Sequence, residues 1–280
     1  MNIRFLFFLL IIWACENEFE IELPDYEPKL VVDGWVEQGT LPHVLLTLSA
    51  PYFDRVDSAT YLDLLVNSAN VSITAPGQEP EFMVLQRTEN IFPYFVYKGF
   101  TRAQSGKSYQ LTINFRGIDY LATTSIPEPI PIDSVWFEVL EGDSSGLINI
   151  SFTDDADQKD FYRVFTKVLG KEERFIPVYL SAFSDAFFNG EQFSFALLKG
   201  PEDYTSVNND IYFKKGDTVL VKLCTIDEDH FRFWRSAEKE IYQAGNPLAS
   251  SGINPEGNIS GGALGYWGGY GATVDTVILR

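Results

Sequence analysis

Ser108-Tyr109-Gln110-Leu111-Thr112-Ile113-Asn114-Phe115 alternates polar and apolar side chains without a break. A period of two puts Tyr109, Leu111, Ile113 and Phe115 on one face of a strand and the polar residues on the other. Arg116-Gly117 then turns the chain into Asp119 to Ser125, so the pair reads as a hairpin. Upstream, Lys29 to Glu37, His43 to Ser49, Asn70 to Ala75 and Phe82 to Arg87 are short β-branched or alternating runs separated by Gly, Pro or Asn. Strands at this spacing, with no helices between them, predict an antiparallel sandwich rather than a parallel α/β sheet.

Downstream comes Ile126-Pro127-Glu128-Pro129-Ile130-Pro131-Ile132. Three prolines at alternate positions remove ladder donors and stiffen an extended segment, which places a domain boundary here. Asp133 to Leu140, Gly146 to Thr153 and Phe161 to Leu169 read as the opening strands of a second sandwich, and residues 184–217 as a long aromatic-rich insertion. Thr218 to Ile226 is a further strand. Asp227 reads as the N-cap of a helix from Glu228 to Ala244, with Phe231, Trp234, Ala237 and Ile241 as its apolar stripe. A last strand is expected from Thr273 to Leu279. The expected fold is thus mainly β, with two antiparallel β-sandwich domains of the immunoglobulin/fibronectin-like kind, residues 29–128 and 132–280, and one helix near the C-terminus.

The N-terminus carries a different signal. Arg4 precedes an uninterrupted apolar run from Phe5 to Ala14, too short for the roughly 20 residues that a membrane-spanning helix needs but suited to a secretory signal. It ends in Ile12-Trp13-Ala14-Cys15, an aliphatic residue, a variable position and a small residue directly before Cys, which is the pattern of a bacterial lipobox. Residues 1–14 are then a lipoprotein signal peptide and Cys15 carries acyl chains, among them palmitate, that hold the protein to a membrane. The competing reading is an ordinary signal peptide with an incidental Cys. Residues 15–28, with Glu16, Glu18, Glu20 and Glu22 at alternate positions, read as an acidic tether.

Across all 280 residues, 39 Asp and Glu outweigh 21 Lys and Arg, a formal net charge of -18. A surface this acidic repels phosphate backbones, so no nucleic-acid partner is expected. Gly142-Asp143-Ser144-Ser145-Gly146 resembles a serine-protease loop, yet neither His43 nor His230 has the surroundings of a catalytic base, and a plain turn is the better reading. Cys224 among Val and Leu reads as a core thiol. No enzyme activity and no cofactor are expected. Asp154, Asp155, Asp157 and Asp160 invite a calcium reading, but the helical-loop motif would need Gly and Glu where Lys159 and Phe165 stand, so Asp154, Asp155 and Asp157 are weak metal candidates beside a solvated turn. Tyr266, Trp267 and Tyr270, set among glycines, are the candidate partner or ligand contacts: such rings stack on sugars or insert into a partner's pocket, and they equally fill a core.

Four blocks in order carry a family resemblance. The lipobox is followed by Pro28-Lys29-Leu30-Val31-Val32-Asp33-Gly34-Trp35-Val36, then by Leu45-Leu46-Thr47-Leu48-Ser49-Ala50-Pro51-Tyr52-Phe53. Next come Gly106 to Leu111 with Ala122 to Pro127, and finally Asn258 to Tyr270. With these the chain resembles the bacterial outer-membrane lipoproteins grouped as domain of unknown function 4249. At Tyr266-Trp267 it departs from that family's usual ending, where the glycines precede Ile or Val and then Phe. The resemblance implies a lipid-anchored outer-membrane protein at the cell surface, often encoded beside a TonB-dependent receptor, with no assigned catalytic residues. The expected function is an accessory binding component of such a transport system. The alternative is a surface glycan- or ligand-binding module that acts without a transporter.

Overall fold

The computed structural model describes residues 26–51, 58–88, 94–201, 210–243 and 255–280. Cys15 and the acidic stretch after it lie outside the described residues. The first half contains β1 (Leu30–Glu37), β2 (His43–Leu48), the short helix α1 (Ser58–Leu64), β3 (Asn70–Thr74), β4 (Glu81–Phe82), β5 (Val84–Arg87), β6 (Phe95–Lys98), β7 (Ser108–Phe115) and β8 (Ile118–Ser125). The second contains β9 (Ser134–Val139), β10 (Ser145–Thr153), β11 (Phe161–Val168), β12 (Ile176–Ser184), β13 (Gln192–Leu197), β14 (Phe213–Lys214), β15 (Thr218–Ile226), α2 (Glu228–Gln243) and β16 (Leu264–Ile278). The protein is mainly β, and most of its strand pairs are antiparallel.

The hairpin read from the sequence is β7–β8, paired from Ser108↔Ser125 to Phe115↔Ile118. Arg116 and Gly117 both take positive φ, 53° and 78°, as a two-residue turn between right-twisted strands requires. Tyr109, Leu111, Ile113 and Phe115 are buried, which is the face that the alternation assigns to the core.

Two small sheets, β4-β3-β7-β8 and one centred on β10, lie against a single eight-stranded sheet of order β12-β11-β15-β16-β1-β2-β6-β5. Two apolar clusters lie between these layers, one around Leu111, Ile113 and Trp267, the other around Ile150, Phe152 and Val221, and a third gathers Phe161, Cys224 and Tyr270. Their common wall is continuous because β16 changes partners midway. Its first half pairs in parallel with β1, Val31↔Leu264 to Glu37↔Tyr270, and its second half pairs antiparallel with β15, Thr225↔Gly271 to Thr218↔Ile278. A half-buried ion pair, Lys222 Nζ to Glu37 Oε2 at 2.8 Å, ties β15 to β1 across the same seam.

Several details differ from the sequence reading. The last strand begins at Leu264, not Thr273, and enters the first half of the chain as well as the second. Residues 184–217 are more than an insertion, since β13 and β14 both pair with β10 there. A second helix, α1, follows β2. The proline segment is docked rather than free: Ile126 is fully buried, Thr225 Oγ1 donates to the Glu128 carbonyl at 2.9 Å, and Thr273 Oγ1 donates to the Ile130 carbonyl at 2.7 Å. Pro supplies no N–H of its own, so such a segment takes its fixing bonds through carbonyls.

These pairings predict unequal halves. Severing the chain between Glu128 and Ile132 leaves the second piece with strands β9 to β16, four of them the contiguous half β12-β11-β15-β16 of the large sheet, whereas the first loses β16 and the Trp267 side chain. Residues 132–280 should fold alone. Residues 26–128 should not, and should recover structure on mixing with the second piece, as followed by circular dichroism and amide dispersion. A first piece that unfolds cooperatively on its own at full stability would contradict the shared-strand architecture.

Candidate functional site

The seam strand β16 also positions the residues singled out in the sequence. Alternation sends Trp267 inward and Tyr266 and Tyr270 to the opposite face, beneath α2. All three are buried, so of the two readings open from the sequence, core and partner contact, their placement is that of core rings. The Trp267 ring lies on Gly34, where an added Cβ would come within 2.7 Å of it, and its Nε1 donates to the Tyr109 carbonyl at 3.0 Å. Asn258 works as a one-residue strand partner: its Oδ1 accepts from Trp267 N and its Nδ2 donates to Trp267 O, both at 2.9 Å. The glycines are explained by close approach. A Cβ on Gly268 would meet the His230 ring at 2.3 Å, and one on Gly269 would meet the Ser125 carbonyl at 2.0 Å.

Above Gly268 stands α2, which begins where the sequence places it. Asp227 caps it, with Oδ1 accepting from His230 N at 2.8 Å and from the Tyr266 hydroxyl at 3.2 Å. The buried stripe differs from the predicted one, since His230 and Glu238 join Ala237 against the sheet. His230 stacks on Tyr266 with ring centres 4.8 Å apart, and its Nδ1 faces the Gly269 carbonyl at 3.2 Å. A carbonyl only accepts, so Nδ1 carries the hydrogen. Burial, with Arg163 adding to it, holds the imidazole well below its ordinary pKa and therefore neutral.

Farther along α2 lies a buried cation. Arg163, on β11, is 3% exposed; its Nε donates to Ser181 Oγ at 3.0 Å and its Nη1 to the Tyr270 hydroxyl at 2.9 Å. The guanidinium lies 3.5 Å over the Trp234 ring and 4.8 Å over Phe165. Among the described residues no carboxylate forms an ion pair with it. Glu238 is linked to it through Ser181, whose hydroxyl donates to Glu238 Oε1. Burial pushes the Glu238 carboxyl up, and Ser181 and Arg163 pull it back down. Glu238 Oε2 and Trp234 Nε1, one helical turn apart, are both buried and without a hydrogen-bond partner among the described residues. Nothing in the sequence distinguishes these polar residues from surface ones. The only available signal was Arg163 inside the apolar run Phe161 to Phe165.

The other candidates resolve into structure. Asp154 is occupied on both oxygens, by the Tyr162 hydroxyl and by Gly190 N at 2.8 Å, and Asp155 Oδ1 accepts from Asp157 N at 3.1 Å. Among the described residues no group of three or more His, Cys, Asp or Glu is arranged to hold a metal ion, so the weak calcium reading of Asp154, Asp155 and Asp157 is not supported. Asp160 is buried beside Asp154 and Asp185, and its carboxyl is pushed up to about 6, first by burial and then by Asp154. Cys224 is buried and free, with burial pushing its thiol up to about 12, which leaves no thiolate nucleophile near neutrality. Asp143 Oδ1 accepts from Ser144 N at 2.6 Å, closing the β9–β10 turn in place of any protease loop.

A family model with the description "Domain of unknown function (DUF4249)" matches residues 16–276. No curated protein matches the chain. Among solved structures, the chicken interferon gamma receptor alpha chain is 7% identical over 72% of this chain and 90% of its own, with a TM-score of 0.19. A marsupial T cell receptor is 11% identical over 72% and 92%, with a TM-score of 0.20. Both superpose poorly, and the fold rests on the sheets described above.

Two outcomes follow from these burials. Trp267→Ala should cost about 3–5 kcal/mol of stability, the range for truncating a fully buried aromatic, as read from denaturant unfolding. A loss below about 1 kcal/mol would return the ring to the surface. Burial and Asp154 raise the Asp160 carboxyl from its ordinary 3.8 to about 6, so the folded state holds this proton more tightly than the unfolded one. Its contribution therefore weakens as pH rises from about 4 through about 6. Asp160→Asn should gain stability over the parent at pH 7 and lose that advantage at pH 4 in urea unfolding.

Proposed function

Because the chain belongs to the family described as domain of unknown function (DUF4249), we propose that it is a cell-envelope lipoprotein, an accessory binding component of a TonB-dependent outer-membrane transport system. The observation that carries this reading is Ile12-Trp13-Ala14-Cys15 at the end of a short apolar run, followed at once by alternating glutamates. Acyl chains on Cys15 anchor the chain to the outer membrane, facing the cell surface, and residues 16–28 tether it. Among the described residues no helix is long and apolar enough to cross a membrane.

Removing residues 1–14 takes away one Arg and no acid, leaving 20 basic against 39 acidic side chains, or -19. A body of that charge is repelled by anionic headgroups over about a Debye length, roughly 8 Å at physiological salt. Its working surface is then the one turned to a protein or to cargo, not to lipid. The glycan-binding alternative rested on Tyr266, Trp267 and Tyr270 as exposed rings, and their burial removes that support.

One preparation tests both parts of the reading. Tagged full-length protein should incorporate radiolabelled palmitate, Cys15→Ser should abolish the label and accumulate precursor, and purification from detergent-solubilised membranes should recover an outer-membrane barrel. Label that survives Cys15→Ser overturns the anchor, and repeated recovery without a barrel overturns the transport role.

A further inference from the structure

Between β12 and α2 lies an open groove of about 510 Å³, within the range of small-molecule sites. Leu180 and Phe231 form its apolar wall, Glu238 its floor, and Arg235 and Lys239 its rim. Three features set this groove apart. Leu180 takes a left-handed φ of 53° and is 63% exposed, at a bulge where β11–β12 pairing changes register. A leucine held in that region with its side chain in water contributes neither favourable backbone geometry nor burial. Glu238 is 4% exposed; its carboxyl faces the Ser181 hydroxyl and the Ser181 and Ala182 backbone N–H groups, while its Oε2 makes no hydrogen bond of good geometry among the described residues. A buried acceptor with an open lone pair is destabilising unless something outside the chain meets it.

The third feature is the rim. Arg232 is held by Glu228 at 2.8 Å, but no described residue pairs with Arg235 or Lys239. They stand four residues apart on an exposed helix face, a spacing at which like charges repel. In a chain of net charge -18, two cations with no ion-pair partner among the described residues, beside an apolar wall, mark a place where an anion is attracted.

We propose that this groove binds a small carboxylic acid with an apolar body and a hydrogen-bond donor, of which an N-acylated hydrophobic amino acid is the simplest form. Arg235 and Lys239 take the carboxylate, Leu180 and Phe231 pack on the apolar body, and Glu238 Oε2 accepts from the N–H. The inference does not depend on the transport reading, since it concerns a site the isolated protein carries by itself.

Ligand-observed NMR on the full-length protein in detergent tests it, with N-acetyl-phenylalanine as probe and N-acetyl-phenylalaninamide as the uncharged control. The acid should bind saturably with a millimolar or tighter constant, and the amide at least tenfold more weakly. The double variant Arg235→Ala with Lys239→Ala should weaken the acid at least tenfold with thermal unfolding unchanged, because both side chains are exposed. No saturable binding, equal binding of acid and amide, or undiminished binding by the double variant would overturn the proposal and leave an ordered water as the only guest of Glu238.

Discussion

The change of partner within β16 is the constraint on which the rest of the structure depends. One strand cannot pair with a different neighbour along each half unless its free edges are satisfied wherever a neighbour is missing. Along its first half that task falls to side chains: Asn258 meets both backbone groups of Trp267, Thr124 Oγ1 accepts from Gly269 N at 2.9 Å, and His230 meets the Gly269 carbonyl. These partners come so close that the strand must be glycine at 268 and 269. The proline segment closes in at the same place, since a Cβ on Gly271 would lie 2.1 Å from the Pro127 carbonyl. Proline-rich and glycine-rich stretches, far apart in sequence, are the two surfaces of one contact.

The buried Arg163 illustrates how a charge is kept inside without an ion pair. Taking a guanidinium out of water costs several kcal/mol, and a direct carboxylate contact is the usual compensation. Here a serine, a tyrosine hydroxyl and two aromatic faces share that role, with the negative charge one hydroxyl farther away on Glu238. Arginine suits this because its flat, weakly hydrated head accepts a ring on its face while its edge donates. The network also pins α2 to β11 and β12, which holds the helix over the seam.

What the sequence made legible was local. The β7–β8 hairpin could be read because eight residues alternate strictly and Arg116-Gly117 suits the turn, and α2 because Asp227 caps a helical stripe. The start of β16 could not be read, since Gly265, Gly268, Gly269 and Gly271 have low strand propensity and are held in the strand by tertiary contacts alone. Strand β12 was hidden by Pro177 and by the bulge at Leu180, which break the alternation. The polar network failed for another reason. Ser181 and Glu238 look like solvent-facing residues until α2 is laid over β12, and nothing in their own surroundings announces that packing.

The parallel pairing of β1 with β16 joins Val31 to Leu264 across 233 intervening steps of chain. Contacts of such long range close late, because the loop entropy is lost before the strand contacts repay it. The first half therefore waits, with its core open on one side, until residues 264–270 have emerged. A chain released early exposes Leu30, Val32 and Val36 along an unpaired strand edge, the kind of surface that aggregates and that quality-control proteases recognise. The pairing of β1 with β16 thus makes the arrival of residues 264–270 a condition for covering an edge laid down more than two hundred residues earlier.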